Sequence, residues 1–308
     1  MTSAGPNIAV IGSINMDLVV RCDSLARPGE TILAKSSAEI CGGKGANQAV
    51  AAARAGGHVT LLGRVGDDVF ANRLLTNLTE EQIRCDTVQT TANCPSGLAI
   101  VAVEQSGQNS IMVVPGANER LSVDDIRTFR NIIAAADVVL LQLEIPMDTV
   151  LTAIQTARDA GVPVILDPAP VPQKFPDDLF NVDVLCPNES EAAMLSGGPV
   201  ETIEQAAAAA DKLRQRGAGH VVITLGDCGA VLFDGHSSCL VNPFEVTAVD
   251  TTAAGDAFAG ALAVCWAEGT EFREAVRFAN VAGALAASRE GAQPGMPTRA
   301  EIDAFLKQ

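Results

Sequence analysis

Residues 248–258 could form a helix start that binds an anion, with an acid beside it. They read Ala-Val-Asp-Thr-Thr-Ala-Ala-Gly-Asp-Ala-Phe and lead into an apolar segment with Ala259, Leu262 and Trp266 on one helical face. The first N–H groups of a helix have no partner within it, and small residues let an anion approach them. Asp256 in that first turn could accept a proton from an attacking hydroxyl. A helix-favouring acid near an N-cap explains the same residue.

A second glycine-rich stretch occupies residues 41–48, Cys-Gly-Gly-Lys-Gly-Ala-Asn-Gln, at the start of an alanine-rich segment. Glycines on both sides of Lys44 allow the backbone to approach a ligand closely. The stretch is not a Walker A loop, because the sequence lacks G-x-x-x-x-G-K-[ST], and it also lacks G-x-G-x-x-G. A glycine-rich turn between two elements explains the same residues.

Two pairs of polar residues follow predicted strands. Asn15 and Asp17 come after an apolar N-terminal run, and Asn188 and Glu191 come after a second apolar run. Ligands of open α/β sheets bind at the carboxyl ends of the strands, so the first pair could bind sugar hydroxyls. The second pair could support Mg²⁺ through waters, since Mg²⁺ keeps much of its hydration shell. An Asx turn and a helix-opening acid are the alternative explanations.

The elements that must position these residues alternate between strand and helix. Strands are predicted over residues 7–12, 59–62, 138–141, 162–166, 184–186 and 221–225. Helices are predicted over residues 44–55, 122–135, 147–160, from 188 onward, over 203–216 and from 255 onward. This alternation favours parallel βαβ units and therefore an α/β fold with a mainly parallel central sheet.

Two segments, residues 17–40 and 97–114, interrupt the alternation. They contain short extended runs at 18–21, 32–34, 98–103 and 110–113, and a hairpin turn is predicted at 105–108. We expect an antiparallel outcrop beside the main sheet that acts as a lid or a dimer surface. Since no linker, repeat or low-complexity tract divides the chain, one domain covering residues 1–308 is predicted.

Composition narrows the class of protein. The 308 residues are 48% hydrophobic and 19% charged, which is globular composition. The longest apolar runs fall well short of the roughly 18 residues of a membrane span, and no secretory signal is visible, so a cytoplasmic location is expected. A net charge of −16 disfavours nucleic-acid binding but permits a nucleotide in one pocket. Eight scattered cysteines lack metal-site spacing and are expected to be free thiols.

These stretches, in this order, resemble the ribokinase family of carbohydrate kinases, the PfkB group, over essentially the whole chain. The specific motifs are residues 42–47 and 250–256, and weaker matches occur at 15–17, 142–144, 188–191 and 224–226. The resemblance implies a Rossmann-like three-layer α/β/α sandwich with a small antiparallel β lid. It also implies an enzyme that moves the terminal phosphate of ATP to a sugar hydroxyl, and a homodimer formed through the lid.

The resemblance assigns roles residue by residue. Asp256 would be the general base, and the amides of Ala253, Ala254 and Gly255 would stabilise the transferring phosphoryl group, although the family usually has glycine at position 253. The sugar would be bound by Asn15, Asp17, Gly42, Gly43, Lys44, Asn47, Glu144 and Asp256. ATP would be bound by Asn188, Thr224, Leu225, Gly226, Asp227, Gly229, Gly255 and Asn280, the last aligned with a histidine in some members. Glu191 would support Mg²⁺ through water, and a monovalent cation such as K⁺ would lie among Asp250, Thr252, Ala286, Arg289, Gly291 and Gly295.

The substrate is predicted less sharply than the reaction. The pairing of Asn15 with Asp17 favours vicinal hydroxyls, so D-ribose phosphorylated at its 5-hydroxyl is expected. Deoxyribose, a ketose, a sugar acid or a nucleoside are alternatives, and the absence of tyrosine argues against the nucleoside. A sugar sensor without catalysis is the alternative from another class, and the presence of Asp256 argues against it.

Overall fold

A nine-stranded sheet forms the centre of the computed structural model, which describes residues 5–105, 109–234 and 236–307. This sheet and a smaller one are built from β1 (Asn7–Ile11), β2 (Asn15–Arg21), β3 (Ser36–Gly42), β4 (His58–Val65), β5 (Val88–Thr90), β6 (Gly97–Val103), β7 (Asn109–Val114), β8 (Val138–Leu141), β9 (Val164–Leu166), β10 (Val184–Leu185), β11 (His220–Thr224), β12 (Ala230–Phe233) and β13 (Ser238–Val241). The order across the larger sheet is β13-β12-β11-β10-β9-β8-β1-β4-β5. Only the β11–β12–β13 edge is antiparallel, so the predicted mainly parallel sheet is confirmed.

Helices cover both faces of this sheet. They are α1 (Lys44–Arg54), α2 (Val69–Glu80), α3 (Val123–Thr128), α4 (Arg130–Ala134), α5 (Met147–Asp159), α6 (Glu189–Ser196), α7 (Ile203–Gln215), α8 (Ala254–Ala267), α9 (Phe272–Ala287), α10 (Ala292–Gly295) and α11 (Arg299–Phe305). Along β1, Ile8 and Val10 pack into a core with α1, α2, α8 and α9, whereas Ala9 and Ile11 pack into a core with α3, α5, α6 and α7. Because both faces are buried, β1 is almost continuously apolar, as is typical of a parallel sheet. The three-layer α/β/α sandwich is therefore confirmed.

Helices α1 and α8 cross at very short range, and this crossing brings the two glycine-rich stretches together. A Cβ built on Gly260 would lie 2.6 Å from Ala51 Cβ and 2.7 Å from the Gln48 carbonyl oxygen. The alanine-rich surface of α1 and the glycine of α8 therefore permit a backbone approach that larger side chains would prevent. Although α8 is apolar along its length, no helix within the described ranges is long and apolar enough to cross a membrane.

The smaller sheet has the strand order β3-β2-β6-β7 and is called the small sheet below. Its outer pairs, β2–β3 and β6–β7, are antiparallel, whereas the central pair β2–β6 is parallel. The prediction of a small separate sheet is confirmed, but the strand predicted at 32–34 is wrong. Leu33 is 92% exposed in the connection between β2 and β3, and Ser36 begins the strand that pairs with Arg21. The hairpin turn predicted at 105–108 lies largely outside the described residues.

Two helix predictions need correction. The single helix predicted over 122–135 is divided into α3 and α4 at Phe129, whose φ of −98° and ψ of 14° leave the helical range. Its predicted start is confirmed, because Ser122 and Asp125 form a reciprocal capping box. Helix α2 was not predicted, although Asp68 caps it by accepting from the backbone N–H groups of Phe70 and Ala71.

Candidate active site

Asp256 lies in the first turn of α8, where both of its carboxylate oxygens are held by neighbouring side chains of α1. Its Oδ2 accepts a hydrogen bond from Asn47 Nδ2 at 3.0 Å, and its Oδ1 accepts one from Gln48 Nε2 at 3.0 Å. The Asn47 side chain is fixed in turn, because its Oδ1 accepts from Gln293 Nε2 at 3.1 Å. Asp256 is 5% exposed and borders a cleft, so its orientation is fixed before any ligand arrives.

Lys44 opens helix α1 beside this carboxylate. Its Nζ lies 3.3 Å from Asp167 Oδ2 and 3.9 Å from Asp256 Oδ1. Burial alone would lower the pKa of Lys44, but the carboxylates of Asp167, Asp256 and Glu144 outweigh it and raise that pKa overall. Lys44 therefore stays protonated at neutral pH and presents a permanent positive charge at this end of the sheet.

Asp167 was not predicted as a site residue. It directly follows β9 and is 7% exposed, and its Oδ2 also accepts from Gln48 Nε2 at 2.8 Å. Burial raises the pKa of Asp167, and the charge of Asp256 acts in the same direction, whereas the Lys44 ammonium lowers this pKa and favours the ionised carboxylate. Its position at the carboxyl end of a parallel strand was the available sequence signal.

A cleft of about 1100 Å³ separates the inner face of the small sheet from the start of α8. Its lining contains predicted sugar-binding residues from four parts of the chain: Asn15, Asp17, Gly43, Lys44, Asn47, Glu144 and Asp256. Gly42 is not part of that lining and instead packs against Asp17. The structure thus brings all the predicted sugar ligands except Gly42 to the lining of one cleft.

Asp17 has the least satisfied side chain in this cleft. Its Oδ1 is buried and has no hydrogen-bond partner among the described residues. Burial, with the nearby charges of Glu144 and Asp256 acting in the same direction, raises the pKa of Asp17 to about 7. A buried acceptor without a donor is costly, so this oxygen is suited to a ligand hydroxyl.

Asn15 and Glu144 are held by residues that sequence reasoning missed. Asn118 Nδ2 donates to Asn15 Oδ1 at 2.7 Å, and Asn118 Oδ1 accepts from the backbone N–H of Ile14 at 2.9 Å. Glu144 Oε2 accepts from Ser13 Oγ at 2.5 Å and from the Lys44 backbone N–H at 3.2 Å. Both supporting side chains are fully or almost fully buried, so they fix the directions of Asn15 and Glu144.

The predicted anion site at the start of α8 has an unusual cap. Ala253 is the N-cap residue and has left-handed backbone angles, φ 60° and ψ 13°. The backbone N–H of Ala254 donates to the Thr251 carbonyl at 3.2 Å, so one of the three predicted amide donors is already engaged. The start of a helix still carries partial positive charge, which favours an anion at Gly255.

The residues predicted to bind ATP lie along the neighbouring strand ends. Asn188 caps α6 and forms a reciprocal capping box with Glu191, each bond being 2.9 Å long. Asn188 also forms an isolated parallel bridge with Thr224, and the turn after Thr224 has positive φ angles at Gly226 and Gly229. Leu225 and Asp227 lie in that same turn. The capping role of Glu191 is compatible with a water-mediated contact to a metal, since a carboxylate accepts several hydrogen bonds.

Asn280 lies on the buried face of α9. Its Nδ2 donates to the carbonyls of Val241 and Asn242 at 3.1 and 3.2 Å. Beside these carbonyls a second cleft of about 470 Å³ is lined by residues 240–244 and by Arg273, Glu274 and Arg277. Asn280 therefore shapes one wall of this cleft through the backbone.

The residues predicted to bind a monovalent cation surround the segment before α8. Asp250 Oδ1 accepts from the Thr252 N–H and Oδ2 accepts from the Gly291 N–H, both at 3.0 Å. Burial opposes the charge of Asp250, but these hydrogen bonds outweigh it and lower its pKa. The Ala286 carbonyl accepts from the Arg289 N–H at 3.1 Å, and Gly295 N–H donates to the Gly291 carbonyl at 3.2 Å. Over the described ranges, no cluster of three or more His, Cys, Asp or Glu side chains could hold a metal ion.

Comparison with known proteins identifies a family and several relatives that match the chain over nearly its whole length. The family described as pfkB family carbohydrate kinase matches residues 6–299. The chain is 40% identical over 300 residues to a ribokinase of Bacillus subtilis, covering 97% of this chain and 99% of that protein. It is 35% identical over 301 residues to a deoxyribokinase of Salmonella typhimurium, covering 97% and 98%. The structure of Arabidopsis thaliana ribokinase complexed with ribose and ATP is similar with a TM-score of 0.89 and 37% identity, covering 99% of each chain.

Proposed function

Since the chain belongs to the pfkB family of carbohydrate kinases, we propose that it transfers the terminal phosphate of ATP to the 5-hydroxyl of D-ribose. The products would be ribose 5-phosphate and ADP. The observation that carries this proposal is the cleft in which Asp256, at a helix start, faces Asp17 with its unpartnered buried oxygen. A base, an anion site and unsatisfied acceptors for hydroxyls are the parts that sugar phosphorylation requires.

Asp256 would take the proton from the attacking hydroxyl. Asn47 and Gln48 hold its two oxygens in place, and each oxygen keeps a further lone pair for the sugar. The start of α8 would stabilise the charge on the transferring phosphoryl group together with the permanently protonated Lys44. Phosphoryl transfer depends mainly on such positioning and charge stabilisation, because little covalent chemistry is left to the protein.

The choice of ribose rests on the polar groups of β2. Asn15 and Asp17 lie on the same face of this strand, two residues apart, and both border the cleft. A carboxylate beside an amide can bind two hydroxyls on neighbouring carbons. Ribose has such a pair at its 2 and 3 positions, whereas 2-deoxyribose lacks the 2-hydroxyl, so ribose is favoured. The sequence identities also favour ribose, since the chain is 40% identical to the ribokinase and 35% identical to the deoxyribokinase.

ATP would lie along helix α9. The second cleft lies beside Arg277, whereas Gly283 on the same helix packs against Ala254 at the start of α8. Six residues of helix separate these points, or about 9 Å at about 1.5 Å per residue. We therefore propose that the adenine ring of ATP occupies the second cleft and that its phosphates extend past Asn280 toward Gly255.

Two ions would complete the site. Mg²⁺ bound with ATP would neutralise the phosphate oxygens, and Glu191 would hold one of its waters, which fits the oxygen chemistry that Mg²⁺ prefers. The backbone carbonyls of Ala286, Arg289 and Gly295 and the side chain of Asp250 would suit a monovalent cation such as K⁺. The low pKa of Asp250 keeps that carboxylate charged for this purpose.

The small sheet would act as the lid of the sugar site and as the surface of a homodimer. It covers the cleft, and its edge strand β7 exposes an apolar run in which Ile111 is 54% and Met112 60% exposed. Such a run on an unpaired strand edge favours association with a second copy. A cytoplasmic location is proposed together with this activity, since ATP is abundant there.

The function can be tested by coupled ADP detection with Mg²⁺, with and without K⁺. The sugar panel should contain D-ribose, 2-deoxyribose, fructose, a 2-keto-3-deoxy sugar acid, adenosine and uridine. Strong turnover of ribose that rises with K⁺ is the expected result. Preferred turnover of another substrate would overturn the choice of ribose, and ribose binding without turnover would support a sugar sensor instead.

A further inference from the structure

Asp167 has no role in the proposed phosphoryl transfer. Its carboxylate is 7% exposed and ends strand β9, and it accepts hydrogen bonds from Gln48 Nε2 at 2.8 Å and Lys44 Nζ at 3.3 Å. Burying a charged group is costly unless partners compensate it. A carboxylate kept in this position therefore calls for a role in the site.

Lys44 stands between two carboxylates but not midway. Its Nζ is 3.3 Å from Asp167 Oδ2 and 3.9 Å from Asp256 Oδ1. The 3.3 Å contact with Asp167 is a long hydrogen bond, whereas 3.9 Å is beyond hydrogen-bond distance, so Lys44 makes an ion pair but no direct hydrogen bond with Asp256. If Lys44 closed that gap, it would stabilise the ionised form of Asp256 and make this carboxylate a weaker proton acceptor.

Gln48 sets the spacing between the two aspartates. Its Nε2 donates to both of them, and its Oε1 accepts from Gln142 Nε2 at 2.6 Å. The Gln48 side chain is fully buried, and its amide orientation follows from these three contacts. The aspartates are thus held at a fixed distance, with Lys44 on the side of Asp167.

We propose that Asp167 is a positioning residue that holds the Lys44 ammonium away from Asp256. The base then remains free to accept the sugar proton, and Lys44 remains free to meet the transferred phosphoryl group. This role rests on the proposed function. Asp17, Glu144, Glu191 and the Cys186 thiol also face this cluster, but the ion pairs of Lys44 found over the described ranges are with the two aspartates.

The test is Asp167→Asn, which keeps the shape and an acceptor oxygen but removes the charge. Lys44 should then move from its 3.9 Å ion pair into direct hydrogen-bond distance of Asp256. We expect kcat to fall about tenfold, and the acid limb of its pH profile to move about one pH unit lower, because a nearby positive charge favours the ionised carboxylate. The KM for the sugar should change by less than about twofold, since Asn15, Asp17 and Glu144 are untouched.

The control is Asp183→Asn, an aspartate beyond the other end of β9 whose Oδ2 accepts from the Val164 N–H at 2.8 Å. It should leave kcat and the pH profile unchanged. In a Lys44→Met background, Asp167→Asn should cause no further loss, because its effect passes through Lys44. An equal loss in both backgrounds, or an unchanged kcat and pH limb in Asp167→Asn, would overturn the proposal.

A crystal structure of Asp167→Asn supplies a readout that needs no turnover. The distance from Lys44 Nζ to Asp256 Oδ1 should shorten to about 2.8 Å. A distance that stays near 3.9 Å would refute the proposal even if the wild-type protein phosphorylates ribose. If the wild type phosphorylates none of the panel, the proposed function fails, and this distance still decides what Asp167 does. Asp167→Ser allows the same measurement if the asparagine variant does not fold.

Discussion

A Cβ built on Gly42 would lie 2.1 Å from Asp17 Oδ2. The two residues belong to the paired strands β2 and β3, in which Asn15 is opposite Gly42 and Asp17 is opposite Ile40. Gly42 has no left-handed backbone angle, so its lack of a side chain matters for space rather than for conformation. The glycine allows the Asp17 carboxylate to fold over β3 toward the cleft.

Gly42→Ala should therefore displace Asp17 and weaken sugar binding. We expect the KM for the sugar to rise about 100-fold, equivalent to the loss of about 2–3 kcal/mol from a charged hydrogen bond, while the KM for ATP changes little. Steady-state kinetics measure both constants. Gly198→Ala is the matched control, since the nearest atom to its added Cβ would be Lys212 Nζ at 4.0 Å. A KM for the sugar that matches this control would show that Asp17 does not bind the sugar.

Asp17→Asn should make the ligand-free protein more stable at neutral pH and less able to bind sugar. The pKa of Asp17 is raised to about 7 in the folded state against an ordinary value of 3.8. Between these values the folded state binds more protons, so the wild type loses stability as pH rises through that window. At about pH 8 the free energy of unfolding of the variant should exceed that of the wild type by up to about 4 kcal/mol, and this difference should shrink to below about 1 kcal/mol at about pH 4.

Urea unfolding at both pH values measures this difference, and Asp23→Asn provides an exposed aspartate after the same strand as a control. The same Asp17→Asn protein should show a large rise in the sugar KM. A gain in stability that does not depend on pH would contradict the assignment to Asp17 ionisation.

Asp256→Asn should abolish turnover while sugar binding persists. The amide cannot accept the hydroxyl proton, so kcat should fall at least about 10³-fold, within the range for loss of a general base. The Kd for the sugar from calorimetry should stay within about fivefold, because the polar groups of β2 are unchanged. Near-normal kcat would remove Asp256 from the role of base.

Ala253→Gly should stabilise the protein. Ala253 adopts φ 60°, a left-handed conformation that costs an L-residue about 1–2 kcal/mol and glycine very little. Glycine also gives the unfolded chain more conformational entropy, which offsets part of this stabilisation. We therefore expect the free energy of unfolding to rise by about 0.5–1 kcal/mol. Ala254→Gly is the matched control, since Ala254 begins α8 and the same change there should destabilise by a similar amount. Thermal unfolding of the two variants should move in opposite directions, and a shift in the same direction would contradict the account.

The two halves of the candidate site could be recognised in the sequence, because each half is a local motif. Residues 42–47 and 250–256 each place small residues at the start of a helix, a pattern visible without knowledge of the fold. The alternation of strands and helices then predicted the parallel sheet whose strand ends hold these motifs. The sequence did not predict how the two motifs contact each other, because that contact depends on the close approach of α1 and α8 at Gly260.

The supporting residues could not be predicted, because their contacts span large distances in sequence. Lys44 and Asp167 are 123 residues apart, Asn47 and Gln293 are 246 apart, and Asn118 is 103 residues from Asn15. An acid after a strand or a buried amide has no characteristic local pattern. The same reasoning explains the wrong strand at 32–34, since its apolar residues had no partner strand to bury them.

The small sheet is joined to the centre of the molecule by very short connections. Three residues separate β1 from β2, and Gly43 alone separates β3 from α1. Asn15 and Asp17 therefore travel with the small sheet, whereas Asp256 stays with α8. Any swing of that sheet would take these proposed sugar ligands away from the proposed base, and the sugar affinity would then include the free energy of bringing the sheet over the cleft. Substitutions on its outer surface would in that case change the dissociation constant of a sugar that they never touch.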